Sequence, residues 1–353
     1  MTAPGTLVHG PFCAVPAHDT ERIQLGHGSG GRLSADLVRE HFLPRFGNPA
    51  LLALGDGAVV PGADTIAVST DSFVVRPLEF PGGNIGHLAV HGTLNDVAMM
   101  GATPRYLTAG FVLEEGLPFD VLGRILDAMA GAARAAGIPI IAGDTKVVER
   151  GKADGLYINT TGIGVIEDGF RPGPDRARIG DAILVSGPIG RHGIAVLAVR
   201  DGLTFEAEVT SDTASLHPLV AALRAAAGTG VHVLRDPTRG GVASALNEIA
   251  ASSRVGMRLR EEALPVPEPV AAACAMLGLD PLYVANEGML VAIVAADVVA
   301  PALRAMRAHP LGKEAVVIGE VIAGRPGLVR MATGMGGERI VDLLPGDQLP
   351  RIC

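Results

Sequence analysis

The 353-residue sequence has no tryptophan and only three tyrosines. Proteins that grip single-stranded nucleic acid stack bases on aromatic side chains, and this chain has few to offer. It also lacks the cationic surplus that a phosphate backbone demands, since 37 acidic residues outnumber 29 Lys and Arg for a formal charge of -8. Both absences exclude nucleic acid as a partner, although an acidic protein still takes a nucleotide where metal ions neutralise the phosphates. Cysteine is scarce too: Cys13, Cys274 and Cys353 are odd in number and widely spaced. They form neither a disulfide framework nor a zinc signature, which fits a reducing cytoplasm. No run reads as a membrane span or a cleavable signal. The apolar stretch Met289–Ala302 is too short and is broken by Asp297 and Pro301.

Hydrophobic residues make up 48% of the chain, with 47 glycines and 25 prolines. The length favours two cores over one, and the glycines suit tight turns and close backbone approach to ligands. Residues 1–20 read as an irregular leader holding Cys13. A first domain over 21–165 alternates strand-like runs (Thr65–Thr70, Ile138–Ala142, Leu156–Thr160) with helical ones. The clearest helix carries Val121, Leu122, Ile125, Leu126, Met129 and Ala133 on one face, with Gly137 as its stop. The turn-rich stretch 166–179 reads as a linker. A second domain over 180–330 opens on the strand Ala182–Val185. It continues through helices at Ala221–Ala227 and Val242–Ala251 and strands at Leu290–Val294 and Ala315–Ile318. Cys274 falls in an apolar helical stretch and reads as core. Residues 331–353 form a final segment ending in a polar, proline-containing tail with little reason to pack. Strands and helices mixed in both halves make this an α/β (α+β) protein of two domains.

Five short stretches carry groups that can do chemistry. His27-Gly28-Ser29-Gly30-Gly31 offers backbone N–H donors to a phosphate, although it is not a Walker A loop and a linker has the same composition. Asp56, Asp71 and Asp96 sit beside turns or strand ends. Singly they read as cap and turn residues; converging, they would suit magnesium bridged to phosphates. Asp96 lies in the apolar helix around Val90, Leu94 and Val97, where a charge needs a partner. Gly143-Asp144-Thr145-Lys146 reads as a loop after a buried strand, a common place for ligands; its lysine is either a phosphate or proton-transfer group or a surface residue. In Asp236-Pro237-Thr238-Arg239-Gly240-Gly241, Asp236 and Thr238 are expected to cap the next helix, and Arg239 and the glycines suit a phosphate there. Asn286-Glu287-Gly288 places a carboxylate at a turn, as a base or a plain turn residue.

The chain ends in Pro350-Arg-Ile-Cys353. A thiol on a free end reads as a carrier group rather than a fixed catalytic residue. Taken with His27–Gly31, Ser69-Thr-Asp-Ser72, Phe80–Gly86, Gly92-Thr-Leu-Asn-Asp96, Gly143–Val148, Asp236–Gly241 and Ala285-Asn-Glu-Gly288, this ending resembles the HypE family of hydrogenase maturation proteins. That family sits within the ATP-using superfamily of aminoimidazole ribonucleotide synthetase, selenophosphate synthetase and thiamine-monophosphate kinase. The internal motifs mark the superfamily and the terminal Pro-Arg-Ile-Cys the family. The match runs from Gly26 to Cys353.

The resemblance implies a two-domain PurM-like fold. Its N-terminal domain would bind ATP and magnesium and form a homodimer, and a flexible C-terminal tail would carry Cys353. It implies ATP-dependent dehydration of an S-carbamoyl group on Cys353 to a thiocyanate, the source of cyanide ligands for nickel–iron hydrogenase. The carbamoyl would come from HypF and the cyano group would pass to a HypC–HypD complex. Asp56, Asp96 and Asp236 are then the magnesium ligands; Asp71, Asn95, Asp144, Thr145, His27, Gly28, Gly30, Gly31, Thr238, Arg239 and Gly240 contact the nucleotide or lie beside it. Lys146 and Glu287 join Cys353 as candidates for proton transfer and orientation of the carbamoyl. One departure stands out: many superfamily members carry a second acidic residue beside the first aspartate, whereas glycines flank Asp56 on both sides. Two rivals are a superfamily enzyme acting on a free small molecule, which would not need Cys353, and a carrier or scaffold without turnover.

Overall fold

A computed structural model describes residues 21–29, 31–55, 57–166, 169–203, 208–343 and 352. The leader 1–20, Gly30, Asp56 and Cys353 lie outside the described residues.

In the first domain, α1 (Arg32–Leu37) runs through a π-helical turn at Val38–Phe42 into α2 (Leu43–Phe46), and α3 (Pro49–Leu52) follows. Then come β1 (Ile66–Phe73), the short hairpin β2 (Glu79–Phe80) and β3 (Gly83–Asn84), α4 (Ile85–Met99), β4 (Thr103–Glu114), α5 (Phe119–Ala136), β5 (Ile140–Val148) and β6 (Leu156–Val165). Four strands form a sheet in the order β1-β6-β4-β5, antiparallel except for the β4–β5 pair. Alternation along β4 buries Leu107, Ala109, Phe111 and Leu113 on one face, as a period of two requires. Those residues share a core with the buried stripe Leu122, Ile125, Leu126 and Met129 of α5. That helix stops at Gly137 in the left-handed region, φ 71, where glycine carries no steric penalty. Along β1 the outward face leaves Ile66 and Val68 exposed.

The second domain comprises β7 (Ala182–Val185), α6 (Arg191–Arg200), α7 (His217–Ala227), β8 (Val231–Arg235), α8 (Gly241–Ser253), β9 (Gly256–Arg260), α9 (Glu268–Leu277), β10 (Val291–Val294), α10 (Val299–Ala308), β11 (Val316–Ile322), β12 (Val329–Ala332) and β13 (Glu338–Ile340). These strands form one sheet in the order β13-β12-β9-β11-β7-β10-β8, in which only β12 and β9 pair in parallel. Helix α8 shares a core with Ile183, Val185 and Ile293 on one face. On the other face, α7 and α10 do so with Leu184, Ala292 and Val294. Covered on both sides, β10 is apolar at every position, Val-Ala-Ile-Val.

The sheet runs past residue 330 through β12 and β13, so the segment expected to be a separate ending packs on the second domain as far as Ile340. Helix α4 is buried almost all round, which fits a helix without a polar face. It lies against β1 and β6 of its own sheet and against α7 and β8 of the other domain. Two local expectations change. The run Gly143–Lys146 is strand, because β5 continues beside β4 as far as the Glu114–Val148 pair. Asp236 and Thr238 do not cap α8: its N-cap is Gly240, with no side-chain cap, and Gly240 and Gly241 take φ of 73 and 60. A Cβ at Gly241 would stand 2.4 Å from the Leu282 carbonyl oxygen, so the turn needs glycine.

Candidate active site

An apolar cavity of about 350 Å³ opens between the first sheet and the helices before it. Phe42, Phe46, Leu51, Phe111 and Ile140 line it, and His27, Gly28, Gly55, Asp144, Thr145 and Lys146 add polar groups and bare backbone. On the edge strand β5, Lys146 Nζ lies 3.0 Å from Asp144, both side chains being well exposed. The Thr145 N–H donates to Asp144 Oδ1 at 2.8 Å. His27 is buried: its Nδ1 accepts from the Gln24 N–H at 2.9 Å and its ring meets Phe119 edge-on. It therefore shapes its own turn. Gly28 lies so close to β5 that a Cβ would stand 2.4 Å from the Val147 nitrogen. Gly31 precedes α1 as its N-cap.

A second group of acids lies at the seam between the domains. Ser69 Oγ on β1 donates to Asp96 Oδ2 on α4 at 2.7 Å, so a hydroxyl meets the charge that the apolar helix exposes. Asp71 lies two residues further along β1, on the same face. Asp236 directly follows β8 and is buried. Burial first, and then the Asp96 charge, push its carboxyl up to about 8. Glu287 is 2% exposed, and its Oε1 is buried with no hydrogen-bond partner. Burial, and then the charges of Asp236, Asp212, Asp71 and Asp96, hold it well above the ordinary carboxylate range. Asp71 is raised by burial and by Asp96, and lowered by the Ser72 N–H bond and by exposed Arg239. Thr238 is half-buried, and its N–H donates to the Asp236 carbonyl at 3.0 Å.

Among the described residues no three His, Cys, Asp or Glu side chains form a metal cage on their own. The acids nevertheless fit a divalent cation that takes its other ligands from phosphate, since magnesium commonly uses one or two carboxylates and leaves the rest to substrate and water. Mutually raised carboxylates around a buried position are the charge such an ion neutralises. The two groups of residues are separate: Asp71 pairs with Thr160, Thr160 with Ala109 and Ala109 with Gly143, and three strand spacings put roughly 14 Å between the ends of that row. Helix α4 covers its middle, where Thr160 is buried against Ala89 and Thr93.

A loop between α6 and α7 ties the seam together, and it holds the residues that sequence reading missed. Asp212 accepts from the N–H groups of Glu287 and Gly288, both at 3.1 Å. A Cβ at Gly288 would stand 1.6 Å from the Asp212 carbonyl oxygen, which explains the glycine after Glu287. Asn286 accepts from the Gly190 N–H at 2.7 Å and donates to Pro237 and Val284 carbonyls. Asn95 donates to the Ala214 carbonyl at 3.0 Å and accepts from the Leu216 N–H at 2.7 Å. Its amide thus clasps the two domains. His192 on α6 is fully buried: its Nδ1 lies 2.8 Å from Ser211 Oγ and its Nε2 2.6 Å from the Ile352 carbonyl oxygen. Neither His192 nor Asp212 carries a sequence signal, since one sits in an ordinary helix and the other in a loop without a motif.

The chain matches the family "AIR synthase related protein, N-terminal domain" over residues 54–166 and its C-terminal domain over 178–330. It is 55% identical over 332 residues to the carbamoyl dehydratase HypE of Bradyrhizobium diazoefficiens, covering 94% of this chain and 96% of that protein. A crystal structure of the hydrogenase maturation protein HypE in complex with ATP superposes with a TM-score of 0.90 at 51% identity, covering 93% of this chain and 99% of that one. A HypE chain from a HypE–HypF complex does so with a TM-score of 0.77 at 47% identity, covering 87% and 99%.

Proposed function

The chain belongs to the HypE family of carbamoyl dehydratases, and on that premise we propose that it dehydrates an S-carbamoyl group on its own terminal residue, Cys353, to a thiocyanate at the expense of ATP. The product serves hydrogenase maturation as a source of cyanide ligands. HypF is the donor of the carbamoyl group, and a HypC–HypD complex is the acceptor of the cyano group.

The observation that carries this reading is the position of residue 352. Ile352 is 2% exposed and its carbonyl oxygen meets His192 of α6, whose ring also meets Ser211, the neighbour of the Asp212 that holds the Glu287 backbone. The residue before the cysteine therefore sits in the seam with the acids. An amide oxygen leaves only once it is activated. Phosphoryl transfer from ATP to the carbamoyl oxygen, with loss of one N–H proton, gives ADP and an O-phosphorylated imidate, and loss of inorganic phosphate with the remaining N–H proton leaves S–C≡N. Glu287, buried and held well above the ordinary carboxylate range, is the group we assign to that proton. Lys146, at the rim of the cavity beside β5, is assigned to holding the nucleotide that enters there. Asp96 and Asp236, with Asp71 beside them and Asp56 from sequence, would hold magnesium, which offsets phosphate charge during the transfer. The cavity beside β5 takes the base of the nucleotide. Enclosure by the docked tail keeps water from the activated carbamoyl. The exposed face of β1, with Ile66 49% and Val68 57% exposed, supports a homodimer formed through the first sheet.

Intact-protein mass spectrometry tests the reading. The carbamoylated protein should lose the mass of one water on adding Mg-ATP, on the C-terminal peptide, and Cys353→Ala should lose nothing while still binding ATP. ATP hydrolysis with no mass change would point to a free small-molecule substrate. No hydrolysis and no mass change would leave a carrier.

A further inference from the structure

Ile352 is described at the end of a tail that has no sequence reason to pack, yet it is buried in the core cluster that also contains Phe80, Ile194, Leu197, Val209 and Cys274. One polar contact accompanies it, from His192. A carbonyl oxygen can only accept, so the 2.6 Å contact puts the ring proton on Nε2. Nδ1 then accepts from the Ser211 hydroxyl at 2.8 Å, and that hydroxyl's oxygen accepts from the Thr213 N–H at 3.1 Å. Every donor and acceptor on this line is satisfied by one arrangement of protons. Phe80 meets the His192 ring edge-on with centroids 5.4 Å apart. Ser211 is itself tied to the first domain through its N–H, which donates to the Pro81 carbonyl at 2.8 Å.

We propose that His192 is a positioning residue: a buried latch on α6 that holds the carbonyl of residue 352, and so fixes where the following cysteine can reach, its ring held in turn by the loop that orients Glu287. Consecutive Cα atoms lie about 3.8 Å apart, so anchoring residue 352 leaves its neighbour a small volume to explore. The coupling is short. Ser211 holds the latch ring, while Asp212 receives the Glu287 and Gly288 N–H groups. Docking the tail and ordering the acid it must meet therefore depend on adjacent residues of one loop. The latch also separates two demands on the tail, which must leave the seam to be carbamoylated and return to be dehydrated.

This inference rests on the dehydratase reading for its kinetic arm and is independent of it for its docking arm. In the kinetic arm, His192→Ala, His192→Gln and Ile352→Ala proteins are carbamoylated by HypF and mixed with Mg-ATP, and single-turnover loss of water is followed by mass. His192→Ala and Ile352→Ala should dehydrate roughly ten- to a hundredfold more slowly, with ATP affinity unchanged and carbamoylation no slower. His192→Gln, which keeps an N–H donor, should recover most of the rate. In the docking arm, carboxypeptidase should release residues 352–353 faster from His192→Ala than from the parent chain, with no nucleotide present. If the parent dehydrates and His192→Ala matches it in both arms, the latch is wrong. If the parent fails to dehydrate but the variants still release the tail faster, the latch stands and the enzymatic reading falls. Should His192→Ala fail to fold, His192→Phe, which fills the ring's place but donates no hydrogen bond, decides in its stead.

Discussion

The two ends of the candidate site are built from opposite materials. At the β5 end an apolar cavity is rimmed by exposed charges, with Lys146 and Asp144 at 65% and 70% side-chain exposure. At the seam, Asp236 and Glu287 are buried, and their environments resist ionisation. Exposed charges interact through water and are worth little to stability. Buried acids are costly, and they hold protons near neutral pH as a proton-transfer group must. The first end is made to bind and release, and the second to react.

The largest effect expected from breaking this contrast is on turnover. Glu287→Gln should slow the dehydration step by about 10²–10⁴-fold with ATP affinity retained, as single-turnover mass spectrometry and calorimetry would read. An equal loss of ATP affinity would merge the two ends into one. Filling the cavity should do the reverse. Ala109 is 2% exposed and lines the cavity; Ala109→Leu should weaken ATP binding roughly tenfold or more, while carbamoylation by HypF persists.

A smaller effect follows from the raised acids. Asp236 has an ordinary value of 3.8 and is pushed up to about 8 in the folded chain, so between those values the folded state binds protons that the unfolded state has released. Stability is then highest at low pH and declines as pH rises toward 8. Magnesium should offset that loss, raising Tm by a few degrees at pH 8 and less at pH 5, and Asp236→Asn should flatten both trends in thermal melts. A Tm that rises with pH across this window would contradict the burial of these acids. The smallest change is expected at the other end: Lys146→Ala should alter stability by less than about 1 kcal/mol in denaturant titration, because its ion pair is exposed. Any loss of activity in that variant then reports on the reaction rather than on the fold.

Much of this was legible in the chain. The apolar stripe of α5 and its glycine stop read directly as helix and cap, because burial on one face imposes a period that sequence displays, and β7, covered on both faces, was bounded residue for residue as a short continuous apolar run. Gly288 and Gly241 were visible as parts of motifs, but the carbonyls that exclude a Cβ from each belong to distant segments. The run Gly143–Lys146 looked like a loop because its residues are polar and small. It is strand because a neighbouring strand supplies the hydrogen bonds, and an edge strand facing a cavity has no apolar face to display.

The sequence by itself determined that the chain has two mixed domains, that its acids and glycine-rich turns suit a nucleotide, and that its terminal thiol is a candidate for the group acted upon. Local periodicity, turn chemistry and motif spacing are properties of contiguous residues, so they survive in one dimension. Tertiary structure alone decided that Asp96, Asp236 and Glu287 share one desolvated seam. It decided too that Asp212 orients Glu287, and that His192 waits for the carbonyl of Ile352, 160 residues further along the chain. Burial and electrostatic coupling arise only when distant segments exclude water together, and no single stretch of sequence carries that information.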